Sequence, residues 1–356
     1  MKKMDVAKSG GFVVSGTVWV YTGMGPQWAG MGREMMQQSA FAAGWQLAVE
    51  ALREHGVDLR DLMQQPLDLL DMSRNDVAKP ANFALQVALT YQLRQHGLQA
   101  DAVVGHSSGE MAAAWAAGAL TLHDAARVVA VMSRLQQTVA GGGMLGVGTS
   151  AQALTAHMVG MDCVLEIAAY NAPDSVTVAG DMAAIEHLAK RLRAQRIVCK
   201  KLAVQVAYHS SHMNPIRDQL LAQLANLQPQ LPGIAWFSSM TGERVSGVMH
   251  DAQYWWHNAR DAVQFARAVS NIAAQGHNTF VQIGPHPALS AALKAGVSEP
   301  MLALCLLERK HAEAATFARA LDALRLGGVK FGVKSGVKFE AQLSDHTQSD
   351  QAVLTG

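Results

Sequence analysis

The stretch Ala102-Val103-Val104-Gly105-His106-Ser107-Ser108-Gly109-Glu110 decides the fold expected of this chain. Its first three residues form an apolar run typical of a buried strand, and a Gly-x-Ser-x-Gly motif follows directly. The Ala-rich residues 111–117 then favour a helix. A strand, a sharp glycine turn and a helix around Ser107 predict a nucleophile elbow. A glycine-rich helix cap without catalytic meaning is the alternative interpretation.

The segments around this stretch alternate between strand and helix patterns. Apolar residues at helical spacing, or in short β-branched and aromatic runs, indicate the two kinds of element. Strands are predicted at 17–21, 102–104, 234–238 and 279–283, and helices through 41–52, 83–93, 122–137 and 263–274. The alternation predicts an α/β fold.

The segment from 144 to 206 has a different pattern, and we expect the glycines at 141–143 to break the helical pattern before it. It predicts a compact α+β unit inserted into the larger domain. Its expected strands are 144–147, 164–169, 175–179 and 197–202, and its expected helices are 151–158 and 182–195.

These patterns divide the chain into a large unit, an inserted small unit and two flanking segments. The Gly-Val-Lys near-repeat after residue 327 precedes a polar stretch that is typical of linkers. We predict a large subdomain at 15–140 and 207–326, a small subdomain at 141–206, a disordered lead-in at 1–14 and a linker or disordered tail at 327–356.

Composition excludes several classes of function. Half of the 356 residues are hydrophobic, so the chain can bury a large core. Its net charge of +1 gives no electrostatic footprint for nucleic acid or an anionic membrane. No window approaches 18 consecutive apolar residues, so no transmembrane helix is predicted. Cys163, Cys199 and Cys305 lack paired spacing, which fits a reducing cytoplasm without a disulfide framework or zinc site.

A serine hydroxyl needs a base, and the chain offers fourteen histidines. His209, in Ala207-Tyr208-His209-Ser210-Ser211-His212, stands where the small unit rejoins the core, a common place for catalytic groups. His106 is confined by the elbow. His212 could open a helix or form an unfinished metal pair with His209, but no third ligand has suitable spacing. No metal site is therefore predicted.

Six motifs in order resemble one family, the malonyl-CoA:acyl-carrier-protein transacylases, and in particular the acyltransferase domains of modular polyketide and fatty acid synthases. The resemblance runs from about Thr17 to Leu326. Its anchors are Tyr-Thr-Gly-Met-Gly-Pro-Gln-Trp (21–28), Gly-His-Ser-Ser-Gly-Glu (105–110), Tyr-Asn-Ala-Pro-Asp-Ser-Val-Thr-Val-Ala-Gly (170–180), Tyr-His-Ser-Ser-His-Met (208–213), Tyr-Trp-Trp-His-Asn-Ala-Arg (254–260) and Ile-Gly-Pro-His-Pro-Ala-Leu (283–289).

The resemblance implies a hydrolase-like α/β large subdomain, an inserted ferredoxin-like small subdomain, and an active site between them. Ser107 would carry the acyl group and His209 would act as base and then acid. The backbone N–H groups of Met24 and Ser108 would form the oxyanion hole, although many relatives have Gln at the position of Met24. Asn171 would have a supporting role.

The resemblance also implies a ping-pong reaction. An acyl group would move from coenzyme A, or another thioester, to Ser107 and then to the phosphopantetheine thiol of an acyl carrier protein. Neighbouring synthase domains are further expected partners. No bound cofactor is implied, because donor and acceptor are both thioester chemistry.

The chain departs from the family at the arginine that binds a malonyl carboxylate in relatives, because Met132 stands at that position. A buried carboxylate without a partner is costly, whereas methionine suits an uncharged acyl chain. Arg134 is two residues further on, so it should point elsewhere on a helix. Met132 as ordinary core filler, with malonate held in another way, is the alternative.

Lys79 is a second departure, since relatives often have Gln before the Pro-Ala pair. It could be a surface residue or could contact substrate. Tyr208 supplies an aromatic ring where malonyl-type domains carry Phe. Substrate contacts are expected from six residues in all: Met132, Tyr208, Val206, His106, Asn171 and Gln27.

These observations predict a polyketide synthase acyltransferase, lacking the carboxylate-binding arginine, that moves a monocarboxylic, non-malonyl acyl group. It could load a starter unit or shuttle acyl groups between carriers. Three alternatives stay open: an editing acyl-thioester hydrolase of the same fold, a malonyl-CoA-specific extender acyltransferase, and an inactive structural domain of a megasynthase.

Overall fold

The computed structural model describes residues 15–62, 64–139, 141–161, 164–297 and 301–332. The predicted lead-in at 1–14, residues 333–356 of the predicted tail, and Cys163 lie outside these ranges. Within them the chain forms two separate sheets, one parallel and one antiparallel. The predicted α/β fold class is confirmed.

The larger sheet is parallel throughout. Its strands are β1 (Thr17–Tyr21), β2 (Ala102–Gly105), β7 (Ala235–Phe237), β8 (Thr279–Ile283) and β9 (Leu302–Cys305). They lie in the order β7-β2-β1-β8-β9, so β1 is in the centre, paired with β2 on one side and β8 on the other.

Apolar cores cover both faces of this sheet, as expected of parallel strands. Trp19 and Tyr21 of β1 point into one core, whereas Val18 and Val20 point into the other, following the two-residue period of a strand. The helices of this subdomain are α1 (Ser39–Glu54), α2 (Asn75–Gln95), α3 (Gly109–Ala116), α4 (Leu122–Gln137), α7 (Arg217–Leu224), α8 (Ala252–Arg260), α9 (Phe265–Ala274), α10 (Ser290–Gly296) and α11 (Glu313–Leu326).

The smaller sheet is antiparallel and belongs to a unit whose elements run β-α-β-β-α-β along the chain, which is the ferredoxin-like arrangement. The elements are β3 (Gly142–Val147), α5 (Ala151–Met158), β4 (Leu165–Ala172), β5 (Ser175–Asp181), α6 (Met182–Ala194) and β6 (Cys199–Lys201). The strand order in the sheet is β4-β5-β3-β6. A core of its own, built on residues such as Leu145, Val178 and Leu188, stabilises this unit.

The structure adds helices α7, α8, α10 and α11, which were not predicted, and differs from the sequence prediction in further details. Helix α4 ends at Gln137, before the glycines, as expected, but strand β3 begins at Gly142 and not at Met144, because small residues fit where β3 packs against Ala207 and Met182. Strand β9 was not predicted. The first residues of the predicted tail contact the large subdomain, since Gly332 N–H donates to Gly97 C=O and Phe331 packs against the core. None of the helices in the described ranges is long and apolar enough to span a bilayer.

Candidate active site

Ser107 lies between strand β2 and helix α3, at a backbone φ of 53°. This left-handed conformation is uncommon for a non-glycine residue and typical of a nucleophile elbow. The two flanking glycines make the turn possible by close packing: a Cβ at Gly105 would lie 2.3 Å from Glu110 N, and one at Gly109 would lie 2.1 Å from Tyr21 O. The turn therefore admits no larger residue at either position.

Glu110, in the first turn of α3, anchors the elbow from beneath. Its buried carboxyl accepts hydrogen bonds from Tyr254 Oη at 2.6 Å and from Ser239 Oγ at 2.8 Å. Burial raises the pKa of Glu110 to about 7. These contacts fix the start of α3 to helix α8 and to the loop that follows β7.

His209 faces the serine from the segment where the small subdomain rejoins the large one. Its Nε2 lies 2.6 Å from Ser107 Oγ, and its Nδ1 lies 3.0 Å from the backbone oxygen of Asp261. Because a backbone oxygen only accepts, Nδ1 carries the proton and Nε2 accepts the serine hydroxyl. The elbow motif and the predicted base are thus brought together.

The electrostatic environment keeps this imidazole neutral. His209 is 6% exposed, and its burial, helped by His106 and Lys79 nearby, lowers its pKa to about 3. A neutral Nε2 has a free lone pair at physiological pH, which is the state that a general base requires.

A small cavity of about 30 Å³ opens beside Ser107, and we call it the Ser107 cavity. Polar and apolar side chains from helices α2, α4 and α8 line it together with the elbow and the His209 segment. The lining residues are Met24, Lys79, Ser107, Ser108, Met132, Gln136, Tyr208, His209 and Asn258.

Two lining residues are those predicted to offer backbone donors. Met24 follows strand β1, and Ser108 is the residue before helix α3, so its N–H lies at the positive end of the helix dipole. Within the described ranges neither N–H donates to a protein acceptor. The buried Ser108 hydroxyl also lacks a partner there. These groups are available to an oxygen bound beside Ser107.

Met132 lines the Ser107 cavity from helix α4, whereas Arg134 points away. The Arg134 guanidinium is exposed and donates to Gln223 Oε1 at 2.8 Å, in a separate groove formed with residues such as Leu59 and Arg74. The helical separation expected from the sequence is confirmed. Among the residues that the structure describes, no arginine lines the cavity.

Lys79 turns out to be a cavity residue and not a surface residue. It lies on helix α2, is 4% exposed, and donates from Nζ to Gln136 Oε1. Its Nζ also lies 5.8 Å from the ring centroid of Tyr208. Burial lowers the pKa of Lys79 to about 7.

Four predicted substrate contacts do not line the cavity. Val206 packs into the large core, and Gln27 accepts from Gly25 N–H at 2.6 Å and donates from Nε2 to the backbone oxygen of Met72 at 3.3 Å. His106 is turned away from the cavity because its Nε2 bonds to Asn171 Oδ1 at 2.8 Å. Asn171 in turn donates to Thr177 Oγ1 at 3.0 Å. This chain of contacts joins the elbow to the small sheet.

A second contact set joins the histidine segment to the small subdomain. Glu166 on strand β4 accepts from Ser211 N–H at 2.6 Å and pairs with Arg260 at 3.0 Å. His212 pairs with Asp181 at 3.1 Å instead of sharing a metal with His209. Across the described residues no three His, Cys, Asp or Glu side chains cluster in a way that could hold a metal ion.

Two lining residues, Gln136 and Asn258, were given no role by the sequence analysis. Gln136 follows Met132 by four residues on α4, so the two share a helix face, and this spacing could have identified it. Asn258 stands within the Tyr-Trp-Trp-His-Asn-Ala-Arg motif at 254–260. Its motif was recognised, but nothing in the pattern connects it to Ser107.

Comparison with known proteins gives consistent results. Residues 18–331 match the family described as acyl transferase domain. Polyketide synthase GfsB of Streptomyces halstedii is 41% identical over 281 residues, which cover 78% of this chain and 5% of that protein. Erythronolide synthase EryA2 of Saccharopolyspora erythraea is 33% identical over 320 residues, covering 88% of this chain and 9% of that protein. The chain thus spans less than a tenth of either synthase.

Solved structures agree in fold over most of the chain. The acyltransferase domain from module 8 of the salinomycin polyketide synthase has a TM-score of 0.85 at 33% identity, covering 90% of this chain and 78% of that one. The loading acyltransferase of the avermectin synthase has a TM-score of 0.82 at 32% identity, covering 87% and 100%. On this agreement of sequence and fold, the chain belongs to the acyl transferase domain family of modular polyketide synthases.

Proposed function

We propose that this acyltransferase moves an acyl group from a thioester, either acyl-CoA or an acyl carrier protein, to the phosphopantetheine thiol of an acyl carrier protein in polyketide biosynthesis. The acyl group would travel as an ester on Ser107. The observation that carries the proposal is the 2.6 Å contact between Ser107 Oγ and His209 Nε2, with Nδ1 held by the Asp261 backbone oxygen. This arrangement supplies a nucleophile and a correctly oriented base.

In the first half-reaction His209 Nε2 takes the proton from Ser107 Oγ as the oxygen attacks the thioester carbonyl. The carbonyl oxygen becomes an oxyanion, which the backbone N–H groups of Met24 and Ser108 would stabilise. The carbon–sulfur bond then breaks, and the thiolate leaves with the proton from His209. The products are a Ser107 ester and a free thiol.

The second half-reaction runs the same steps in reverse with a different thiol. The carrier phosphopantetheine thiol gives its proton to His209 and attacks the Ser107 ester. The ester carbon–oxygen bond breaks, and Ser107 Oγ regains the proton. Thioester substrates supply all the chemistry, so the proposal includes no bound cofactor.

We further propose that the acyl group is monocarboxylic and uncharged. The argument is that Met132 lines the Ser107 cavity, at the position where the family resemblance implies an arginine for a malonyl carboxylate. Charge-assisted arginine contacts are replaced by a flexible apolar side chain. Starter loading and shuttling between carriers both fit this selection, and one of the similar structures is a loading acyltransferase.

A second candidate substrate is an acidic acyl group such as malonyl, favoured by Lys79 Nζ in the same cavity. A third candidate, an editing hydrolase, needs only water in place of the acceptor thiol.

The carrier protein and neighbouring synthase domains are proposed partners. A reducing cytoplasm is the proposed setting, because Cys199 and Cys305 are free thiols.

The test uses the whole chain with butyryl-CoA as donor and pantetheine as acceptor thiol. Formation of butyryl-pantetheine faster than free butyrate, and its loss in Ser107→Ala, is the expected result. Butyrate release exceeding transfer would favour the hydrolase. Transfer that survives Ser107→Ala would overturn the Ser107 ester, whereas no transfer by the native chain would favour the inactive-domain alternative.

A further inference from the structure

Lys79 is a buried amine beside the reacting serine that no part of the proposed mechanism uses. It lies on helix α2, four per cent exposed, and shares the Ser107 cavity with Ser107, His209 and Met132. Its Nζ donates to the side-chain oxygen of Gln136. A buried lysine is rare unless it is paired, so its presence here needs a reason.

No carboxylate in the described part of the chain forms an ion pair with Lys79. The buried acid Glu110 is already engaged by Tyr254 and Ser239. A lysine amine or ammonium has at least two N–H donors, and Gln136 accepts a hydrogen bond from only one of them. Burial lowers the pKa of Lys79 to about 7, so a donor without charge is accessible near neutral pH.

The other groups that line the cavity limit which chemical group could accept a hydrogen bond from the Lys79 amine. Gln136 presents an oxygen toward Lys79, Met132 presents a thioether, and Tyr208 presents its ring. A carboxylate bound here would meet one ammonium group, that of Lys79, and next to it the Gln136 oxygen, which accepts hydrogen bonds as a carboxylate does. An arginine would instead offer the carboxylate two aligned donors. A hydroxyl or carbonyl oxygen needs only one donor and brings no charge into this enclosed space.

We propose that Lys79 is a specificity-determining residue, donating a hydrogen bond to an uncharged oxygen, a hydroxyl or a carbonyl, on the acyl chain bound to Ser107. The inference rests on the proposed function and deepens it: the neutral acyl group carries an oxygen beyond the reacting carbonyl. The Gln136 contact would hold the amine in place, and Met132 would contact the rest of the chain.

The test measures the rate at which Ser107 gains each acyl group, by intact-protein mass after rapid mixing with one acyl-CoA. The probes are butyryl-, 3-hydroxybutyryl-, acetoacetyl- and malonyl-CoA. The variants are Lys79→Met, which is similar in length but has no donor, and Lys79→Gln, which keeps one. Lys201→Met, at an exposed lysine on β6, is the matched control.

We expect the native chain to react at least about tenfold faster with an oxygenated four-carbon group than with butyryl, because an unpaired buried donor penalises the plain chain. Lys79→Met should bring this ratio close to one while butyryl still reacts. Lys79→Gln should keep part of the preference for the oxygenated group, and Lys201→Met should keep all of it.

Four outcomes would overturn the inference, and they are distinguishable. A native ratio near one, or a ratio unchanged in Lys79→Met, removes Lys79 as a specificity residue while leaving Ser107 acylation intact. A malonyl preference that Lys79→Met abolishes would assign the lysine to a carboxylate instead. If no probe appears on Ser107, the proposed function fails together with the inference.

Discussion

Ser107 and His209 meet through their side chains at 2.6 Å while both backbones are left-handed, with φ values of 53° and 58°. Each conformation costs free energy for a residue with a Cβ, and the surrounding structure has to impose it. Two independent segments, one on the elbow and one at the junction of the subdomains, are thus held in strained geometry at the point of contact. Strained backbone conformations of this kind cluster at the functional sites of proteins.

The strain at Ser107 predicts that a glycine at this position gives a more stable fold than an alanine. We expect Ser107→Gly to exceed Ser107→Ala in free energy of unfolding by about 1 kcal/mol, because glycine alone adopts a positive φ without a Cβ penalty. Both variants lack the nucleophile, so the comparison isolates the backbone. Chemical denaturation measures the difference, and a less stable glycine variant would show that the turn is relaxed.

The contact between the two residues predicts the effect of removing the base. His209→Asn should lower the rate of Ser107 acylation by about 10²- to 10⁴-fold, the usual contribution of a general base. Asparagine tolerates the left-handed backbone, so the segment should keep its path. His212→Asn, three residues away, is the control and should stay within about threefold of the native rate. Equal losses in the two variants would remove the special role of His209.

Close packing between Gly142 and the segment before His209 predicts that a larger residue at position 142 also slows Ser107 acylation. A Cβ at Gly142 would lie 2.6 Å from both Ala207 N and Ala207 Cβ, two residues before His209. We expect Gly142→Ala to cost about 1–3 kcal/mol of stability by overpacking and to slow acylation. Gly146→Ala on the same strand, with its nearest atom at 3.7 Å, should do neither. Thermal melting and acylation rates of the pair decide the matter.

The buried amine of Lys79 predicts a pH-dependent stability. Its pKa is about 7 in the folded chain against 10.5 ordinarily, so between these values the unfolded chain binds a proton that the folded chain releases. Stability therefore rises with pH across this window, and the penalty is complete below pH 7.

Lys79→Met removes this penalty. We expect its melting temperature to exceed the native value by about 5 °C at pH 7, with the gain shrinking toward pH 10. Lys201→Met should show no such dependence, because that lysine is exposed. A gain that grows with pH would contradict the assigned protonation.

Local patterns sufficed to predict the strand, turn and helix around Ser107 and all strands of the two sheets except β9. Strands β1 and β8 have the bounds read from the sequence, since continuous apolar runs between turns identify buried parallel strands. His209 and Ser107 each stand in a distinctive motif. The pairing of the two depended on chemical reasoning and on family resemblance, which the 2.6 Å contact matches.

What the sequence could not supply is how separate helices converge. Lys79, Met132 and Asn258 come from three helices, α2, α4 and α8, and only the packing of those helices brings them to one cavity. Conversely, His106 and Gln27 lie in recognised motifs, but His106 bonds to Asn171, and Gln27 bonds to Gly25 and Met72. A motif identifies a residue, whereas its partners are set by tertiary contacts.

The most direct test of the account is the mass and position of the acyl group that the intact chain acquires. The chain is incubated with equimolar butyryl-, 3-hydroxybutyryl- and malonyl-CoA, and the adduct is located by peptide mapping. The account predicts an uncharged acyl ester on Ser107, absent from Ser107→Ala. A malonyl adduct alone would contradict the argument from Met132, and an adduct that persists in Ser107→Ala would contradict the nucleophile itself.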